Sequence, residues 1–300
     1  MIKAVDLFAG AGGFSLGAVR AGIDVVFAAN HWPMAVQTHS LALPGTVHLC
    51  QDLHQCDWHQ IPSHDLLLAS PCCQGHSRAR GSDRPHHDAA RSTAWAVVSC
   101  AEAKRPGRII VENVPEFPEW ELFPSWCDAL NRLGYTLRSV VADAADAGVP
   151  QHRRRLFICG FQGTAPAQIS LPIRAHRSAA TILTNSPAKT SWRTLCKNTQ
   201  DRVENGRNCH GDRFLVAYYG SASGGRSITR PIGTITTRDR YALVDGDHLR
   251  MLTIPEYKTA MGFPLDFWLP SNKRTALHLL GNAVPPPLAS DVISAVIGRN

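Results

Sequence analysis

The stretch "KAVDLFAGAGGFSLGAVRAG" (3–22) decides how the chain begins to fold. Its apolar start, 3–8, predicts a buried strand, and the glycines that follow end this strand in a tight turn. Residues 13–22 then have helical spacing and stop at Gly22. A strand, a glycine turn and a helix in this order predict the first repeat of a parallel sheet, where a ligand can approach the free backbone amides of the turn.

The same alternation continues through the first 160 residues. Apolar runs predict strands at 23–30, 64–70 and 108–113 and near 135–142 and 155–161. Helices are predicted at 32–43, 91–105 and 119–133 and after the prolines 285–287. Strands that alternate with helices of this length indicate an α/β fold with a doubly wound, mainly parallel, Rossmann-like sheet. Residues 162–248 have weak helical periodicity and predict a smaller, irregular, β-rich domain.

The amino-acid composition limits the classes of protein to which this sequence can belong. Three hundred residues with 44% hydrophobic and 18% charged content predict an ordered globular protein. The glycine-broken start does not fit a signal peptide and no apolar run reaches transmembrane length, so we expect a cytoplasmic protein without membrane contact. In a reducing cytosol, the nine cysteines should mostly be free thiols.

Positive charge is concentrated in one part of the chain. The formal net charge is +7, and the segment 162–248 carries twelve Lys and Arg against six Asp and Glu, or +6. A solvated face explains a modest excess, whereas its confinement to one segment favours contact with phosphates.

Polar residues follow several of the predicted strands. The turn "DLFAGAGG" (6–13) is not the dinucleotide fingerprint, because the third glycine of G-x-G-x-x-G would fall on Ser15. A nucleotide-like ligand without a phosphate is therefore favoured, and an NAD-dependent oxidoreductase is disfavoured. "NHW" (30–32) and "QDL" (51–53) follow the second and third strands, where such folds hold a ribose and a base.

The segment "SPCCQGHS" (70–77) places two cysteines side by side after a strand. From the residues alone, core packing, half a metal site, a redox pair and a single nucleophile stay open. Four arginines follow the cysteines, and their positive charge could favour a thiolate. They are Arg78, Arg80, Arg84 and Arg91. The cysteines do not have zinc-finger spacing. The possible metal-ligating residues further upstream match no familiar site, so we expect no metal. These upstream residues are Cys50, His54, Cys56 and His59.

Two further segments carry candidate catalytic residues. Glu112, in "VENVPEF" (111–117), is a carboxylate at the tip of a buried strand, which is costly unless it is solvated, paired or functional. In "QHRRRLFICG" (151–160), the strand period of two places Arg153 and Arg155 on one side and Arg154 on the other.

Six segments in this order closely resemble the DNA cytosine-5 methyltransferases of bacteria and phages: "DLFAGAGGFSLG", "SPCCQGHS", "VENV", "QHRRRLFICG", "HLRMLTIPEYKTAMGFP" (248–264) and "GNAVPPPLA" (281–289). The resemblance covers the chain except about 163–230. It implies S-adenosylmethionine as the methyl donor, with S-adenosylhomocysteine as product. It also implies a catalytic domain formed by 1–162 and 279–300, and a target recognition domain at 163–278.

The resemblance assigns roles to single residues. Cys73, directly before Gln74, would add as a thiolate to carbon 6 of a flipped-out cytosine and so activate carbon 5. Glu112, if protonated or sharing a proton, would hydrogen-bond N3 of the ring, while Arg153 and Arg155 would hold the thiol region and O2. Cys72 stands where many relatives have a second proline, so its thiol needs no chemical role.

The implied binding residues form two groups. The donor would be bound by Phe8, Gly10, Gly12, Gly13, His31, Trp32, Asp52, Leu53, Asn282 and Val284, and DNA by Gln74, Ser77, Arg78, Arg80, Arg238 and Arg240. His31 departs from the pattern, because the family usually has an acid there that holds the ribose hydroxyls.

The expected partner is double-stranded DNA, bound by a monomer, with a cognate restriction endonuclease as a functional partner. Two alternatives are kept. The same chemistry could act on tRNA, although the long basic segment favours duplex DNA. An inactive, DNA-binding regulator of the same fold is the other alternative, and retention of the four catalytic residues argues against it.

Overall fold

The computed structural model describes residues 1–72, 92–188, 190–219 and 222–298. The chain forms two compact units. The first comprises 1–143, 154–173 and 283–300, and the second comprises 144–153 and 174–282.

One sheet forms the centre of the first unit. Its strands are β1 (Lys3–Leu7), β2 (Asp24–Asn30), β3 (Val47–Cys50), β4 (Leu66–Ala69), β5 (Arg108–Asn113), β6 (Tyr135–Asp143) and β7 (Arg154–Gln162). They lie in the order β3-β2-β1-β4-β5-β7-β6. Neighbours from β3 to β5 are parallel, whereas β7 is antiparallel to both β5 and β6. The central strands are apolar without alternation because both faces of a parallel sheet are covered, and the predicted α/β fold is confirmed.

Helices accompany this sheet. They are α1 (Gly13–Arg20), α2 (Pro33–Ala42), α3 (Trp95–Lys104), α4 (Phe123–Arg132) and, from the end of the chain, α8 (Pro286–Ile297). A Cβ atom at Gly17 of α1 would lie only 2.4 Å from the Cβ of Ala289 on α8. Glycine therefore permits the close approach by which the last helix packs into the first unit.

The second unit is built on an antiparallel sheet of five strands in the order β10-β9-β11-β12-β8. These are β8 (Thr190–Ser191), β9 (Arg213–Ala217), β10 (Gly225–Arg226), β11 (Tyr241–Asp245) and β12 (His248–Met251). Its helices include α5 (Lys197–His210), α6 (Ile254–Ala260) and α7 (Lys273–Asn282). The sequence interpretation understated helix here, because α5 is the longest helix of the described residues.

Residues 144–153, which connect β6 and β7, are hydrogen-bonded to other parts of the second unit. His152 donates its backbone N–H to Ile232 O (2.8 Å), and the side-chain amide of Gln151 donates to Ala260 O (3.1 Å). This excursion between β6 and β7 therefore belongs to the second unit. Conversely, Arg138 of β6 donates to Pro166 O (3.0 Å), which keeps 163–173 with the first unit.

Within the described part of the chain, no helix combines the length and the apolar character that a membrane span needs.

Candidate active site

The segments that follow β1 to β4 are joined by backbone hydrogen bonds. Ala9 N donates to Ala29 O (3.1 Å), Ser70 N to Leu7 O (3.1 Å), and Gln51 N to Asn30 O (3.2 Å). The polar segments predicted from the sequence therefore lie together at the carboxyl edge of the parallel strands, where α/β sheets bind ligands.

The turn after β1 combines an open face with a closed one. Phe8, Gly10 and Gly12 have φ values of 60°, 55° and 87°, and Phe8 is strained because side chains rarely adopt this conformation. A Cβ atom at Gly10 would meet nothing nearer than Phe8 O at 3.9 Å. At Gly12 it would lie 2.9 Å from Cδ2 of His39. Gly10 thus leaves the backbone accessible, whereas Gly12 is needed for packing on His39, and Gly13 begins α1.

Asp52 provides an ionised acceptor at the end of β3. Its Oδ1 accepts from the backbone N–H of His54 (3.0 Å) and lies 2.9 Å from His54 Nδ1. The backbone and then the side-chain bond from His54 lower the pKa of Asp52, and the nearby His31 acts in the same direction. Leu53, the next residue, is buried. His54 entered the sequence analysis only as a metal-ligand type, and no sequence signal indicated that it would orient Asp52.

These residues fit a donor with a purine base and a methionine chain. The open backbone face at Gly10 admits a ligand, and the Asp52 carboxylate can accept from an exocyclic amino group. Trp32 is half-buried directly before α2, and its backbone N–H donates to Asn30 Oδ1 (2.9 Å), while His31 is exposed. The site can therefore hold S-adenosylmethionine between the turn and the ends of β2 and β3.

The predicted nucleophile, Cys73, lies outside the described residues, as do Gln74, Ser77, Arg78 and Arg80. The residues just before Cys73 are described and fixed. Asn113 Nδ2 donates to Pro71 O (3.2 Å), and Cys72 N donates to Thr93 Oγ1 (3.1 Å). Sequence reasoning missed both anchors. Asn113 carried a signal as a polar residue at the end of β5, whereas Thr93 carried none.

Glu112 and Arg155 form a largely buried ion pair. Arg155 Nε lies 2.9 Å from Glu112 Oε1, and the side chains are 13% and 9% exposed. The antiparallel pairing of β5 and β7 places Glu112 opposite Phe157, two residues from Arg155. Arg155 also donates from Nη1 to Arg154 O (2.8 Å). The structure therefore brings two of the predicted catalytic residues together.

Arg153 has different contacts. It is 2% exposed, and its guanidinium donates to Ile235 O (2.9 Å) and Gly281 O (2.7 Å), both within the second unit. These bonds hold the main chain of that unit. A role of Arg153 at the thiol region remains a prediction.

The remaining predicted binding residues differ in exposure. Arg238 is exposed, whereas Arg240 is half-buried, donates to Tyr218 O (2.6 Å) and lies 5.8 Å from the centre of the Tyr219 ring. Asn282 is exposed at the end of α7, and Val284 is buried in the first unit. Among the described residues, no group of three His, Cys, Asp or Glu side chains could hold a metal ion.

Comparison with known proteins places this geometry in a family. The family model of the C-5 cytosine-specific DNA methylases matches residues 2–298. The Type II methyltransferase M.NlaX of Neisseria lactamica is 30% identical over 299 residues, which cover 96% of this chain and 94% of that protein. M.HgiDI of Herpetosiphon aurantiacus, also a Type II methyltransferase, is 29% identical over 96% of this chain and 92% of its own length.

Solved structures show the same fold. A mutant of DNMT2 from Spodoptera frugiperda superimposes with a TM-score of 0.73 at 17% identity and covers 99% of this chain and 100% of that one. The match of the family model across nearly the whole chain is the stronger result. The chain therefore belongs to the C-5 cytosine-specific DNA methylase family.

Proposed function

We propose that this enzyme methylates carbon 5 of cytosine at a specific sequence of duplex DNA. The observation that carries the proposal is the Glu112–Arg155 ion pair. Glu112 lies at the end of β5, one residue before Asn113, which donates to Pro71 O. A carboxyl and a guanidinium held together in this way suit a ring whose N3 and O2 gain negative charge during the reaction.

Cys73 begins the reaction. Carbon 5 of cytosine is a poor nucleophile, and addition of the Cys73 thiolate to carbon 6 turns the ring into an enamine-like nucleophile. The anchors at Pro71 and Cys72 fix the chain up to the residue before this thiol. Glu112, protonated or sharing a proton with the ring, then hydrogen-bonds N3 of the extruded base. Arg155 orients Glu112 and stabilises the charge that reaches O2.

The donor site adjoins these residues along the sheet edge. When bound, S-adenosylmethionine supplies an electrophilic methyl group. The turn at Gly10 would hold its methionine part, Asp52 would accept from the adenine amino group, and Trp32 would pack against the base. His31 would contact the ribose hydroxyls in place of the usual acid.

Duplex DNA is the favoured substrate over tRNA. The two curated relatives described above are Type II methyltransferases, which supports a role in restriction–modification with a cognate endonuclease. The basic residues of the second unit, including the exposed Arg238, suit contact with phosphates. We expect the enzyme to act as a monomer, because a single flipped base needs one active site.

The test is bisulfite sequencing of DNA from a methylation-free host that expresses this chain. One short sequence should carry 5-methylcytosine at nearly every copy. The purified protein with S-adenosylmethionine should also form a covalent adduct on duplex DNA that carries 5-fluorocytosine at this site.

Two variants serve as matched controls. Cys73→Ser should abolish the adduct, whereas Cys72→Ala, its neighbour, should retain it. Preferential methylation of tRNA would overturn the choice of substrate, and an adduct that persists in Cys73→Ser but not in Cys72→Ala would overturn the choice of nucleophile.

A further inference from the structure

A continuous line of hydrogen bonds runs beneath the glycine turn, through residues that the methylation mechanism does not use. Ser15 Oγ donates to Asp6 Oδ2 (2.6 Å), and His39 Nε2 lies 2.9 Å from Ser15 Oγ. His39 Nδ1 in turn lies 2.8 Å from His48 Nε2. We call this set the buried polar chain: Asp6, Ser15, His39 and His48.

The two ends of the buried polar chain differ in access to solvent. Asp6, Ser15 and His39 are 0%, 0% and 1% exposed, whereas His48 on β3 is half-buried. Across the sheet, Asp6 faces Ala28 and Leu68 in register, so its strand neighbours offer no charge. Its second oxygen, Oδ1, is buried without a hydrogen-bond partner among the described residues. The hydrogen bonds of the buried polar chain therefore connect Asp6 Oδ2 to the half-buried His48.

Other titratable groups on the surrounding elements lie outside this line. They are exposed or half-buried: Lys3 on β1, Arg20 on α1, Asp24 on β2, Cys50 on β3 and Asp291 on α8. Burial raises the pKa of Asp6 to about 7, which the Ser15 bond only partly offsets. Burial and then the charge of His48 lower the pKa of His39 to about 3. Near neutral pH, Asp6 thus changes charge while His39 stays neutral.

The donors and acceptors of these four side chains allow two directions of hydrogen bonding along the buried polar chain. With Asp6 ionised, Ser15 donates to Asp6, so His39 must donate from Nε2 to Ser15 and accept at Nδ1 from His48. With Asp6 protonated, every donor reverses. Asp6 then donates to Ser15, Ser15 to His39 Nε2, and His39 Nδ1–H to His48.

The reversal conserves protons. One proton enters from water at Nδ1 of His48, the ring nitrogen that does not face His39. His48 passes its Nε2 proton to His39 Nδ1, His39 passes its Nε2 proton to Ser15, and Ser15 passes its own to Asp6. At the end Asp6 is protonated, and both histidines are again neutral but in the opposite tautomers.

We propose that the buried polar chain is a proton path between solvent and Asp6, and that His39 is through it a positioning residue of the donor-binding turn. The turn rests directly on the imidazole, because a Cβ atom at Gly12 would lie 2.9 Å from its Cδ2. The positioning role depends on the proposed function in one respect, namely that this turn binds S-adenosylmethionine. The proton path itself does not.

The test of the path uses 15N-histidine-labelled protein without donor or DNA. Nitrogen chemical shifts distinguish Nδ1–H from Nε2–H, and His39→Gln assigns the signal by its loss. His39 should change from Nδ1–H to Nε2–H between about pH 5 and about pH 9, without becoming doubly protonated. His64, a buried histidine whose Nδ1 bonds Pro62 O (2.9 Å), should keep one tautomer throughout.

Ser15→Ala tests the connection. The matched control is Ser40→Ala of α2, whose hydroxyl donates to Gln37 O (2.9 Å) within the same helix. Ser15→Ala should abolish the tautomer change. It should also raise the KM for S-adenosylmethionine about fivefold, the effect of one net hydrogen bond, with kcat within about twofold of wild type. Ser40→Ala should alter neither.

The outcomes separate the path from the function. A single His39 tautomer across the pH range, or a tautomer change that survives Ser15→Ala, would overturn the path. A complete tautomer change in the wild type that Ser15→Ala abolishes, together with an unaltered donor KM in Ser15→Ala, would overturn the positioning role alone. Failure of the proposed methylation would be seen instead as the absence of a 5-fluorocytosine adduct, while the tautomer change remained.

Discussion

Arg155→Gln removes the cation that faces Glu112 and keeps a polar side chain of similar reach. The two groups are 2.9 Å apart, and their side chains are 13% and 9% exposed, so water can replace the lost cation only in part. Removal of one partner from a buried ion pair costs about 3–5 kcal/mol. Because this pair lies at the edge of a site with some solvent access, we expect a loss of about 3 kcal/mol in the free energy of unfolding.

The same change should slow the chemistry. In the proposed mechanism, Arg155 both orients Glu112 and offers a charge-assisted hydrogen bond to the cytosine ring, and such a bond contributes about 1.5–3 kcal/mol. This corresponds to a decrease in kcat of about 10- to 150-fold. The assay is single-turnover transfer of a radiolabelled methyl group to a duplex that contains the site found by bisulfite sequencing. Urea unfolding of the same preparations gives the stability.

Arg154→Gln is the matched control, because Arg154 is the adjacent arginine and is exposed. It should change the unfolding free energy by less than about 0.5 kcal/mol and kcat by less than about twofold. A double-mutant cycle with Glu112→Gln should give a coupling free energy of about 2 kcal/mol. Additive effects, or an Arg154→Gln variant as slow as Arg155→Gln, would refute the assignment of this pair.

Three further predictions concern the turn and the buried acids. Gly12→Ala should destabilise the protein by about 2 kcal/mol in thermal unfolding and weaken donor binding in calorimetry, because φ is +87° and the new methyl group would meet His39 at 2.9 Å. Burial raises the pKa of Asp6 from 3.8 to about 7, so stability from this group is present below pH 3.8 and lost as the pH rises toward 7. In urea unfolding, Asp6→Asn should therefore gain up to about 4 kcal/mol relative to wild type over that range. Burial raises the pKa of Glu256, but bonds from Arg250 and from backbone amides outweigh it and lower the pKa from 4.5 to about 2. Glu256→Gln should accordingly cost about 3 kcal/mol near neutral pH and progressively less as the pH falls from 4.5 toward 2, in the same assay.

The parts of the fold that depend on local sequence could be predicted. The runs that became β1, β4 and β5 are apolar and end at glycine or polar residues, and these signals act over a few residues. Because parallel strands end at a common edge, the order of strands and helices also placed the donor and catalytic segments together before any distance was known.

Helix α5 shows where such reasoning fails. Among its buried residues Val203 is its single large apolar side chain, so the sequence has no helical stripe. Beside Val203, which packs in the same core cluster as Phe214, the helix approaches the sheet at a glycine, since a Cβ atom at Gly206 would lie 2.3 Å from Cε2 of Phe214. Packing that depends on the absence of a side chain adds no apolar residue to the sequence. It therefore leaves no hydrophobic periodicity from which the helix could be predicted. The buried polar chain could not be predicted from the sequence either, because His39 is 24 residues from Ser15 along the sequence.

The arginine segment 151–155 has one feature that the local sequence predicts and one that it does not. The strand period predicted that Arg153 and Arg155 share one side, yet the boundary between the two units falls between residues 153 and 154. Arg155 therefore meets Glu112 within the first unit, whereas Arg153 bonds the main chain at Ile235 and Gly281 within the second. Side-chain alternation is a property of a strand and holds only while the chain remains in it, and β7 begins at residue 154. Two arginines of one sequence motif can thus stabilise different units, so loss of activity on replacing Arg153 would not by itself place that residue at the cytosine.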